Sequence, residues 1–314
     1  MTHLARAIEL AERGRGATRP NPVVGAVIVS SDGAVVGEGW HERRGQPHAE
    51  VLALRAAGER ARGATLYVTL EPCAHHGTTP PCTEAVLEAR VRRVVVGSLD
   101  PNPEAAGGLE RLRAAGVDVE LVNSFAARRQ NEAWRTWISR GRPFVTYKVG
   151  ATLDGRITVP GSRWVTGEES RRLVHELRAT FDAVAVGMGT VRADEPRLDA
   201  RGVDATSQPR RLAFGGGPLP IGSELELRPS PLHDELTALA GEGVQSLLLE
   251  GGPTLASAFF EAGLVDKVLV FVSPTLSGSG PHLLGELSEP VALTRLAARP
   301  SGADVLLEAY LNEP

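Results

Sequence analysis

Cysteine, lysine and long apolar runs are scarce in this sequence of 314 residues, and their scarcity excludes several classes of protein. Two cysteines, Cys73 and Cys82, are too few for a disulfide-stabilised secreted scaffold, although they are close enough in sequence to share a metal ion. No stretch approaches the roughly 20 apolar residues of a membrane-spanning helix, and the amphipathic N-terminus lacks the apolar core of a signal peptide. We therefore expect a cytoplasmic protein.

The sequence also lacks a large excess of either sign of charge, because the net charge is only −4. This balance gives no sign of a nucleic-acid or membrane partner, although a local pocket for one phosphate remains compatible with it. Among the 34 basic residues, only Lys148 and Lys267 are lysines, so each lysine is a residue to explain. We interpret Lys267, next to Asp266, as a surface charge.

The composition is that of a globular protein, with 42% hydrophobic and 23% charged residues, and the length suffices for two domains. Both halves alternate strand and helix patterns, which predicts the α/β class. In the first half we predict strands at 23–29, 35–40, 65–70, 93–97 and 117–122, and helices at 3–13, 48–61, 82–90, 107–115 and 124–139. The first two strands are predicted to form a hairpin, and the sheet to be largely parallel.

A stop signal, Gly141-Arg142-Pro143, predicts a boundary between a domain at 1–142 and a second at 143–314. In the second domain we predict strands at 144–149, 183–186, 210–214, 245–249, 266–272 and 304–311, and helices at 168–179, 231–241 and 253–262.

Four residues of the first domain form a pattern typical of a catalytic zinc site. His48 and Cys82 open predicted helices, and Cys73 follows a predicted strand. One histidine and two thiolates fill three corners of a zinc tetrahedron, which leaves the fourth for water. Glu50, two residues after His48, has the position of a proton shuttle. The order His-x-Glu, Pro-Cys, Cys is that of the zinc deaminases, so we predict hydrolytic deamination of a ring amino group.

Each part of this pattern has an ordinary alternative. A histidine at a helix start is commonly a cap, and two cysteines nine residues apart can be structural. The eight residues between the thiols also depart from the Cys-x-x-Cys spacing of most deaminases. His75 and His76 in this loop either compete as ligands, line the pocket or shape the loop.

Eight segments carry a resemblance that covers nearly the whole chain. They lie at 20–26, 47–50, 69–82, 100–103, 148–156, 164–166, 187–196 and 250–255. Together they resemble the riboflavin-biosynthesis bifunctional deaminase–reductases, a family in which the long spacing between the two cysteines is usual.

The resemblance implies two consecutive reactions on one phosphorylated pyrimidine. A cytidine-deaminase-like α/β/α domain would release the 2-amino group of 2,5-diamino-6-(5-phosphoribosylamino)pyrimidin-4(3H)-one as ammonia. A dihydrofolate-reductase-like α/β domain would then transfer hydride from NADPH and open the ribosyl group to ribityl. One Zn²⁺ per chain and NADPH are the implied cofactors. The phosphorylated pyrimidine is the implied partner, and we expect a homo-oligomer of undetermined size.

The resemblance also assigns residues by position. In the deaminase pocket it implies substrate contacts by Asn21, His41, Asp100 and Asn102, although Asn21 before Pro22 and the 100–103 segment also suit ordinary turns. In the reductase it implies a catalytic Lys148 near the ribosyl group. The implied substrate contacts there are Ser162, Arg178, Leu198, Arg201 and Glu250, and the implied cofactor contacts are Ala151, Trp164, Thr190, Asp194, Gly252, Pro253 and Thr254.

The residues themselves support the reductase less strongly. No Gly-x-Gly-x-x-Gly follows a strand, so the Rossmann fingerprint is absent. Glu250-Gly251-Gly252-Pro253 lies between a predicted strand and helix, where small residues let a phosphate approach helix N–H groups, but an ordinary strand–helix turn has the same pattern.

The sequence also departs from the family. Thr78 replaces a basic residue of the zinc loop, residues 105–108 are one residue short and lack a basic residue, and Gly215-Gly216-Gly217 replaces an acidic or hydroxyl residue. The stretch 218–244 is predicted to be too short for the strand-and-helix unit expected there. Two alternatives to the bifunctional enzyme therefore remain: a deaminase with a degenerate second domain, and a binding module with structural zinc. A nucleic-acid deaminase is disfavoured by the acidic balance.

Overall fold

The protein is described by a computed structural model that covers residues 2–77 and 80–314. The chain forms two compact units, Met1–Arg140 with Pro314, and Gly141–Glu313. None of the described helices has the length and apolar character needed to cross a membrane.

The first unit is a five-stranded sheet with its helices. In chain order its elements are α1 His3–Glu12, β1 Gly25–Val29, β2 Val35–Trp40, α2 Ala49–Ala57 followed by a 3-10 turn at Gly58–Ala61, β3 Thr65–Val68, α3 Cys82–Glu88, β4 Arg93–Val96, α4 Gly108–Ala114, β5 Asp118–Leu121, α5 Phe125–Gln130 and α6 Glu132–Arg140.

The strand order of this sheet is β2-β1-β3-β4-β5. The predicted hairpin of β1 and β2 is confirmed. The prediction of a largely parallel sheet is wrong, because β1 is antiparallel to both β2 and β3, and only β3–β4 and β4–β5 are parallel. The hairpin reverses the chain, and the helical crossover then places β3 on the other side of β1.

Glycines let α2 pack closely on β2. A Cβ at Gly37 would lie 2.2 Å from the carbonyl oxygen of Ala53, and one at Gly39 would lie 2.5 Å from that of Ala49. Because alternate strand residues share a face, both glycines lie on one side of β2. This close approach fixes the helix whose N-terminus carries His48 and Glu50.

The predicted helix at 124–139 is two helices in the structure, because Asn131 interrupts it. The Asn131 side chain accepts a hydrogen bond from the Val23 N–H at 2.9 Å and donates one to the Val23 carbonyl oxygen, also at 2.9 Å. A buried side chain that pairs with a distant backbone segment is a tertiary contact, which local periodicity does not predict.

The second unit is built on an eight-stranded mixed sheet of order β12-β13-β11-β6-β10-β7-β8-β9. Its elements are β6 Phe144–Thr152, α7 Glu168–Thr180, β7 Ala183–Gly187, α8 Met188–Asp194, β8 Arg210–Phe214, β9 Glu226–Arg228, α9 Leu232–Gly241, β10 Ser246–Leu249, α10 Pro253–Glu261, β11 Lys267–Ser273, β12 Thr294–Ser301 and β13 Asp304–Tyr310. The five pairings from β11 to β9 are parallel, whereas β13 is antiparallel to both β11 and β12. Its largest buried cluster contains Val145, Tyr147, Leu247 and Phe259.

Two predictions about the second unit are wrong. The stretch 218–244 does form a strand and a helix, β9 and α9, because three residues of β9 suffice to pair with β8 at the sheet edge. Lys267 is not a surface charge but is 7% exposed. Its ammonium lies 3.5 Å from Glu308 and over the ring of Tyr310, since β11 is an interior strand of the sheet.

Candidate functional site

The three predicted zinc ligands come from two helix starts and the loop between them. His48 is the N-cap residue of α2, and Cys82 is the first residue of α3. Cys73 lies five residues after the end of β3, in the loop that leads to α3. The positive end of a helix dipole stabilises negative charge at Cys82, whereas the hydrogen bond to Cys73 and burial raise the pKa of its thiol. Proline residues at positions 47 and 81 fix the chain entering each helix.

The structure brings these three side chains together. The Nδ1 atom of His48 lies 3.1 Å from the Cys82 sulfur and 3.7 Å from the Cys73 sulfur. All three donor atoms lie within 4.8 Å of one another. The set of one imidazole and two thiols fits zinc, which prefers nitrogen and sulfur ligands and keeps an open fourth position in catalytic sites.

Burial and hydrogen bonds change the acidity of these donors. The Cys82 thiol donates to the Cys73 sulfur, and this hydrogen bond, together with those from His48 and from the Cys82 N–H at 3.3 Å, lowers the pKa of Cys73. The hydrogen bond to Cys73 in turn raises the pKa of His48. The hydrogen bonds from Cys82 and His48 therefore favour a thiolate at Cys73, and the thiolate is the form that binds metal.

Glu50 is buried beside the three donors without being one of them. Burial raises the pKa of Glu50 to about 7. Its Oε2 atom is buried and has no hydrogen-bond partner in the described structure. An unpartnered buried carboxylate oxygen is costly, so its presence beside a candidate metal site calls for a functional explanation.

A cavity of about 280 Å³ adjoins the cluster. All four residues predicted for the deaminase pocket, Asn21, His41, Asp100 and Asn102, line it together with His48, Glu50 and Cys73. His75 lines the cavity too but does not belong to the metal cluster, and His76 is an exposed side chain 3.8 Å from Glu84. Thr78 lies outside the described residues.

Two of these pocket residues offer polar atoms to a ligand. The His41 ring is 3% exposed; its Nδ1 lies 3.4 Å from the Pro47 carbonyl oxygen, and its Nε2 is buried without a partner in the described structure. Burial lowers the pKa of His41, which favours a neutral ring with an accepting Nε2. Burial, assisted by the Glu71 carboxylate, raises the pKa of Asp100 to about 6.

Glu71 is a buried carboxylate that the sequence analysis did not identify. One of its oxygens accepts hydrogen bonds from the N–H groups of Gly107 and Leu109, each at 3.1 Å, and the other accepts one from Asp100 at 3.2 Å. The side chain thus links the strand end before Cys73 to the loop that carries Asp100 and to the start of α4. The sequence signal that could have identified Glu71 is a carboxylate directly after the predicted strand 65–70.

The short segment 105–108 has a steric explanation. Gly107 is the N-cap residue of α4 with a φ of +93°, a conformation that favours glycine. A Cβ at Gly108 would lie 1.8 Å from the Pro72 carbonyl oxygen. The two glycines therefore let α4 begin directly against the loop that carries Pro72 and Cys73.

In the second unit, the structure brings Lys148, Arg178 and Glu250 together. Lys148 Nζ lies 3.2 Å from Glu250 Oε2, and Arg178 binds both oxygens of Glu250, at 2.6 and 3.0 Å. Burial alone would raise the pKa of Glu250, but the two cations outweigh it and lower the pKa to about 2. The result is a part-buried cluster with one more positive than negative charge.

Asp199 connects this cluster to Arg201 and was also missed from the sequence. Its carbonyl oxygen accepts a hydrogen bond from Arg178 at 3.2 Å, while its carboxylate binds Arg201. Leu198, one residue earlier, is 3% exposed and has a φ of +53°. Four of the five predicted substrate residues thus lie in one region, since Arg178, Leu198, Arg201 and Glu250 are linked through these contacts.

The remaining predicted residues lie at several places in the second unit. Ser162 and Trp164 are exposed and bond to each other, since the Ser162 hydroxyl donates to the Trp164 carbonyl oxygen at 2.8 Å. The guanidinium groups of Arg163 and Arg171 each lie over the Trp164 ring, 4.9 and 5.1 Å from its centroid. Ala151 is buried on β6, and Asp194 is the exposed last residue of α8.

Gly252, Pro253 and Thr254 begin α10, where Gly252 is the N-cap residue and Pro253 the first helical residue. A Cβ at Gly252 would lie 3.6 Å from the Thr190 hydroxyl, so the two predicted cofactor residues are neighbours. A glycine at the N-cap leaves no side chain in the way of a phosphate that approaches the helix N–H groups, so these residues fit a nucleotide cofactor.

Residues 1–98 match the cytidine and deoxycytidylate deaminase zinc-binding region, and residues 143–215 and 229–307 match the RibD C-terminal domain. The riboflavin biosynthesis protein RibD of Aquifex aeolicus is 41% identical to this chain over 313 residues, covering 88% of each.

Two solved structures also match over nearly their whole length. RibD of Acinetobacter baumannii has a TM-score of 0.84 at 37% identity, covering 98% of this chain and 97% of its own. A diaminohydroxyphosphoribosylaminopyrimidine deaminase/5-amino-6-(5-phosphoribosylamino)uracil reductase from Thermotoga maritima has a TM-score of 0.82 at 34% identity, with the same coverage. These matches confirm the predicted class, a zinc-deaminase α/β domain followed by the α/β C-terminal domain of RibD proteins.

Proposed function

The chain belongs to the RibD family, the bifunctional deaminase–reductases of riboflavin biosynthesis, and we propose that its first unit deaminates the diaminopyrimidine phosphate and its second reduces the product with NADPH. The observation that carries the deaminase assignment is the convergence of His48, Cys73 and Cys82 beside the unpartnered carboxylate oxygen of Glu50, on one cavity. Glu50 also argues against a purely structural zinc, because such a site fills its fourth position with another cysteine or histidine.

His48, Cys73 and Cys82 would hold the zinc, which would supply Lewis-acid activation of the attacking water. Glu50 takes a proton from that water as the new carbon–oxygen bond forms at ring position 2. It then delivers the proton to the amino nitrogen as the carbon–nitrogen bond breaks and ammonia leaves. We assign substrate contacts to Asn21, His41, Asp100 and Asn102, whose places on the cavity support this role.

The charge cluster of the second unit supports a reductase role for Lys148. NADPH, when bound, would supply a hydride for the ribosyl carbon that becomes part of the ribityl chain. Lys148 is an ammonium held in place by Glu250 and can donate a proton to the ring oxygen released as the sugar opens. Arg178 belongs to this cluster, and Arg201 is linked to it through Asp199. Both guanidinium groups can therefore bind the anionic end of the substrate. Ser162 and Leu198 are assigned to the same substrate.

We place the cofactor at the start of α10 and its surroundings. Gly252, Pro253 and Thr254 would meet a phosphate through the helix N-terminus, next to Thr190. We assign Ala151, Trp164 and Asp194 to the same cofactor. We further propose that the enzyme works in the cytoplasm as a homo-oligomer.

One assay tests both halves. The full-length protein is incubated with the diaminopyrimidine phosphate, with and without NADPH, while ammonia and the absorbance of the reduced cofactor are followed. We expect ammonia in both mixtures and cofactor oxidation only after deamination. Ammonia release without cofactor oxidation, together with no NADPH binding by calorimetry at millimolar concentration, would support a degenerate second domain instead.

A further inference from the structure

Three apolar side chains of α6 face the cavity that holds the candidate zinc ligands. Trp134, Trp137 and Ile138 stand three and four residues apart, so helical geometry places them on one side of α6. All three line the cavity, with Trp134 only 7% exposed and the other two half-buried. The cavity therefore has an aromatic side, supplied by a helix outside the segment 1–98 that matches the zinc-binding region.

The rest of the cavity is rich in hydrogen-bond acceptors. Glu50 and Asp100 contribute carboxyl groups, and His41 contributes a buried Nε2 without a partner in the described structure. Neither lysine nor arginine occurs among the described residues that line this cavity. The lining therefore suits an uncharged flat ring with N–H donors at its edge, and its described residues offer a phosphate neither lysine nor arginine.

Helix α6 is fixed to two other parts of the cavity wall. At its start, the Asn131 amide pairs with both backbone polar groups of Val23, next to the lining residue Pro22. One turn further, Arg135 donates a hydrogen bond to the Leu99 carbonyl oxygen at 2.8 Å, next to the lining residue Asp100. These anchors hold the two indoles at a set distance from the polar wall, as a preorganised binding surface requires.

We propose that Trp134 and Trp137 form a stacking platform for the substrate's pyrimidine ring and make this site selective for flat, amino-bearing rings. The proposal rests on the proposed function, because the ring must reach Glu50. Stacking on an aromatic side chain contributes affinity through the π-face of a ring, while the acceptors opposite read its amino groups. Because the described lining has neither lysine nor arginine, we place the phosphoribosyl end outside the cavity.

A platform of this kind binds the ring equally before and during the reaction, so its loss raises KM and leaves kcat nearly unchanged. Trp137→Leu, which keeps an apolar side chain without a π-face, is expected to raise the deaminase KM at least about tenfold. Trp137→Phe keeps an aromatic face and should stay within about threefold of the parent KM. Trp134→Phe is the second variant, chosen because a smaller change suits a nearly buried residue.

Fluorescence supplies a readout independent of activity, because the chain has only four tryptophans. In a Glu50→Gln, Trp40→Phe, Trp164→Phe background, turnover is slowed and only Trp134 and Trp137 emit. Neither Trp40 nor Trp164 is among the described residues that line the cavity. Titration with the diaminopyrimidine phosphate is expected to quench the emission to saturation. Adding Trp137→Leu should weaken the Kd at least about tenfold, and adding Trp137→Phe should leave it nearly unchanged.

The outcomes separate this inference from the function on which it rests. Zinc content and circular dichroism first establish that each variant is folded. If the parent releases ammonia but Trp137→Leu and Trp134→Phe both keep the parental KM and Kd, the proposed stacking role of the tryptophans is wrong and the proposed deaminase function is retained. If the parent neither binds the pyrimidine nor releases ammonia, the proposed function fails and the platform fails with it. A fall in kcat at unchanged KM would also overturn the platform.

Discussion

The ammonium of Lys148 lies 3.2 Å from a carboxylate oxygen of Glu250 at a site where both side chains are less than a fifth exposed. Arg178 binds the same carboxylate, so two cations share one buried anion. Two cations and one anion leave one positive charge that can bind an anionic ligand. Loss of the Glu250 carboxylate would leave both cations without their shared partner and would lower the free energy of unfolding. Removing one partner of a buried ion pair leaves an uncompensated charge, which typically destabilises a protein by about 3–5 kcal/mol.

The Glu250 carboxylate predicts how stability depends on pH. Its pKa in the folded state, about 2, is lower than the usual value near 4.5. The stabilisation is therefore complete above about pH 4.5 and is lost as the pH falls toward 2. Glu250→Gln should be less stable at neutral pH, and its free energy of unfolding should fall less steeply between pH 4.5 and 2. Urea unfolding across this range measures both. Equal slopes for parent and variant would contradict the assignment.

The zinc site predicts a metal content that depends on both cysteines. Purified protein should contain about one zinc per chain, and Cys82→Ala should lose it, because two remaining ligands bind zinc poorly. Elemental analysis measures the content. His76→Ala is the matched control, since this exposed side chain of the same loop is not part of the cluster and should leave zinc in place. Stoichiometric zinc in the double variant Cys73→Ser/Cys82→Ser would rule out these ligands.

Glu50→Gln should separate metal binding from catalysis. The amide has nearly the shape of the carboxyl group but cannot shuttle protons, so deamination should fall at least about 10²-fold while zinc is retained. Ammonia release and metal content are measured on the same sample. Metal loss in the variant, or turnover close to that of the parent, would mean that Glu50 has another role.

Glu71→Gln should loosen the wall of the deaminase cavity. All three partners of Glu71 are N–H donors, so an amide nitrogen in its place must face at least one donor. Leaving a buried donor unsatisfied costs about 1–3 kcal/mol of unfolding free energy. Urea unfolding should show this loss, whereas Glu110→Gln, an exposed change in α4, should not. Full stability of Glu71→Gln would show that the three hydrogen bonds do not hold the loop.

The end of β8 predicts the behaviour of the reductase toward its cofactor. Gly215-Gly216-Gly217 offers no side chain there, so we expect a raised NADPH KM and a weakened preference for NADPH over NADH. Gly216 has open space around it, unlike its neighbours with φ of +115°. Gly216→Ser should therefore be accommodated and lower the NADPH KM, by up to about tenfold for 1.4 kcal/mol. Gly216→Ala is the control without a hydroxyl, and equal KM values for the two variants would contradict the expectation.

The sequence predicted the zinc cluster because its chemistry is carried by few residue types in a fixed order. His48 and Cys82 stand at helix starts and Cys73 lies in the loop between them, and one histidine with two cysteines in this order suits zinc. The aromatic wall was not predicted, since Trp134 and Trp137 at helical spacing resemble ordinary core residues. Glu71 acts through backbone N–H groups of distant segments, and the Asp199 carbonyl oxygen accepts from the distant Arg178 side chain. No local pattern indicates either contact.

The difference between local sequence patterns and contacts with distant segments also explains which helices and strands were not predicted. The interior strands β7 and β10 are apolar runs and were predicted nearly to the residue. Strand β12 has seven exposed residues and contains Pro300, features that argue against a strand unless it lies at a sheet edge, as it does here. Helix α8 follows β7 without a loop, so its start carries no turn signal.

The anchoring of α6 through Asn131 has a consequence for evolution. The proposed metal ligands and proton shuttle lie between residues 48 and 82, whereas the tryptophans that face them begin at residue 134. Changes along α6 can therefore accumulate without touching the ligands, provided that Asn131 keeps its two hydrogen bonds to Val23. A lineage that exchanges these side chains can change which ring it accepts while inheriting the deamination chemistry intact.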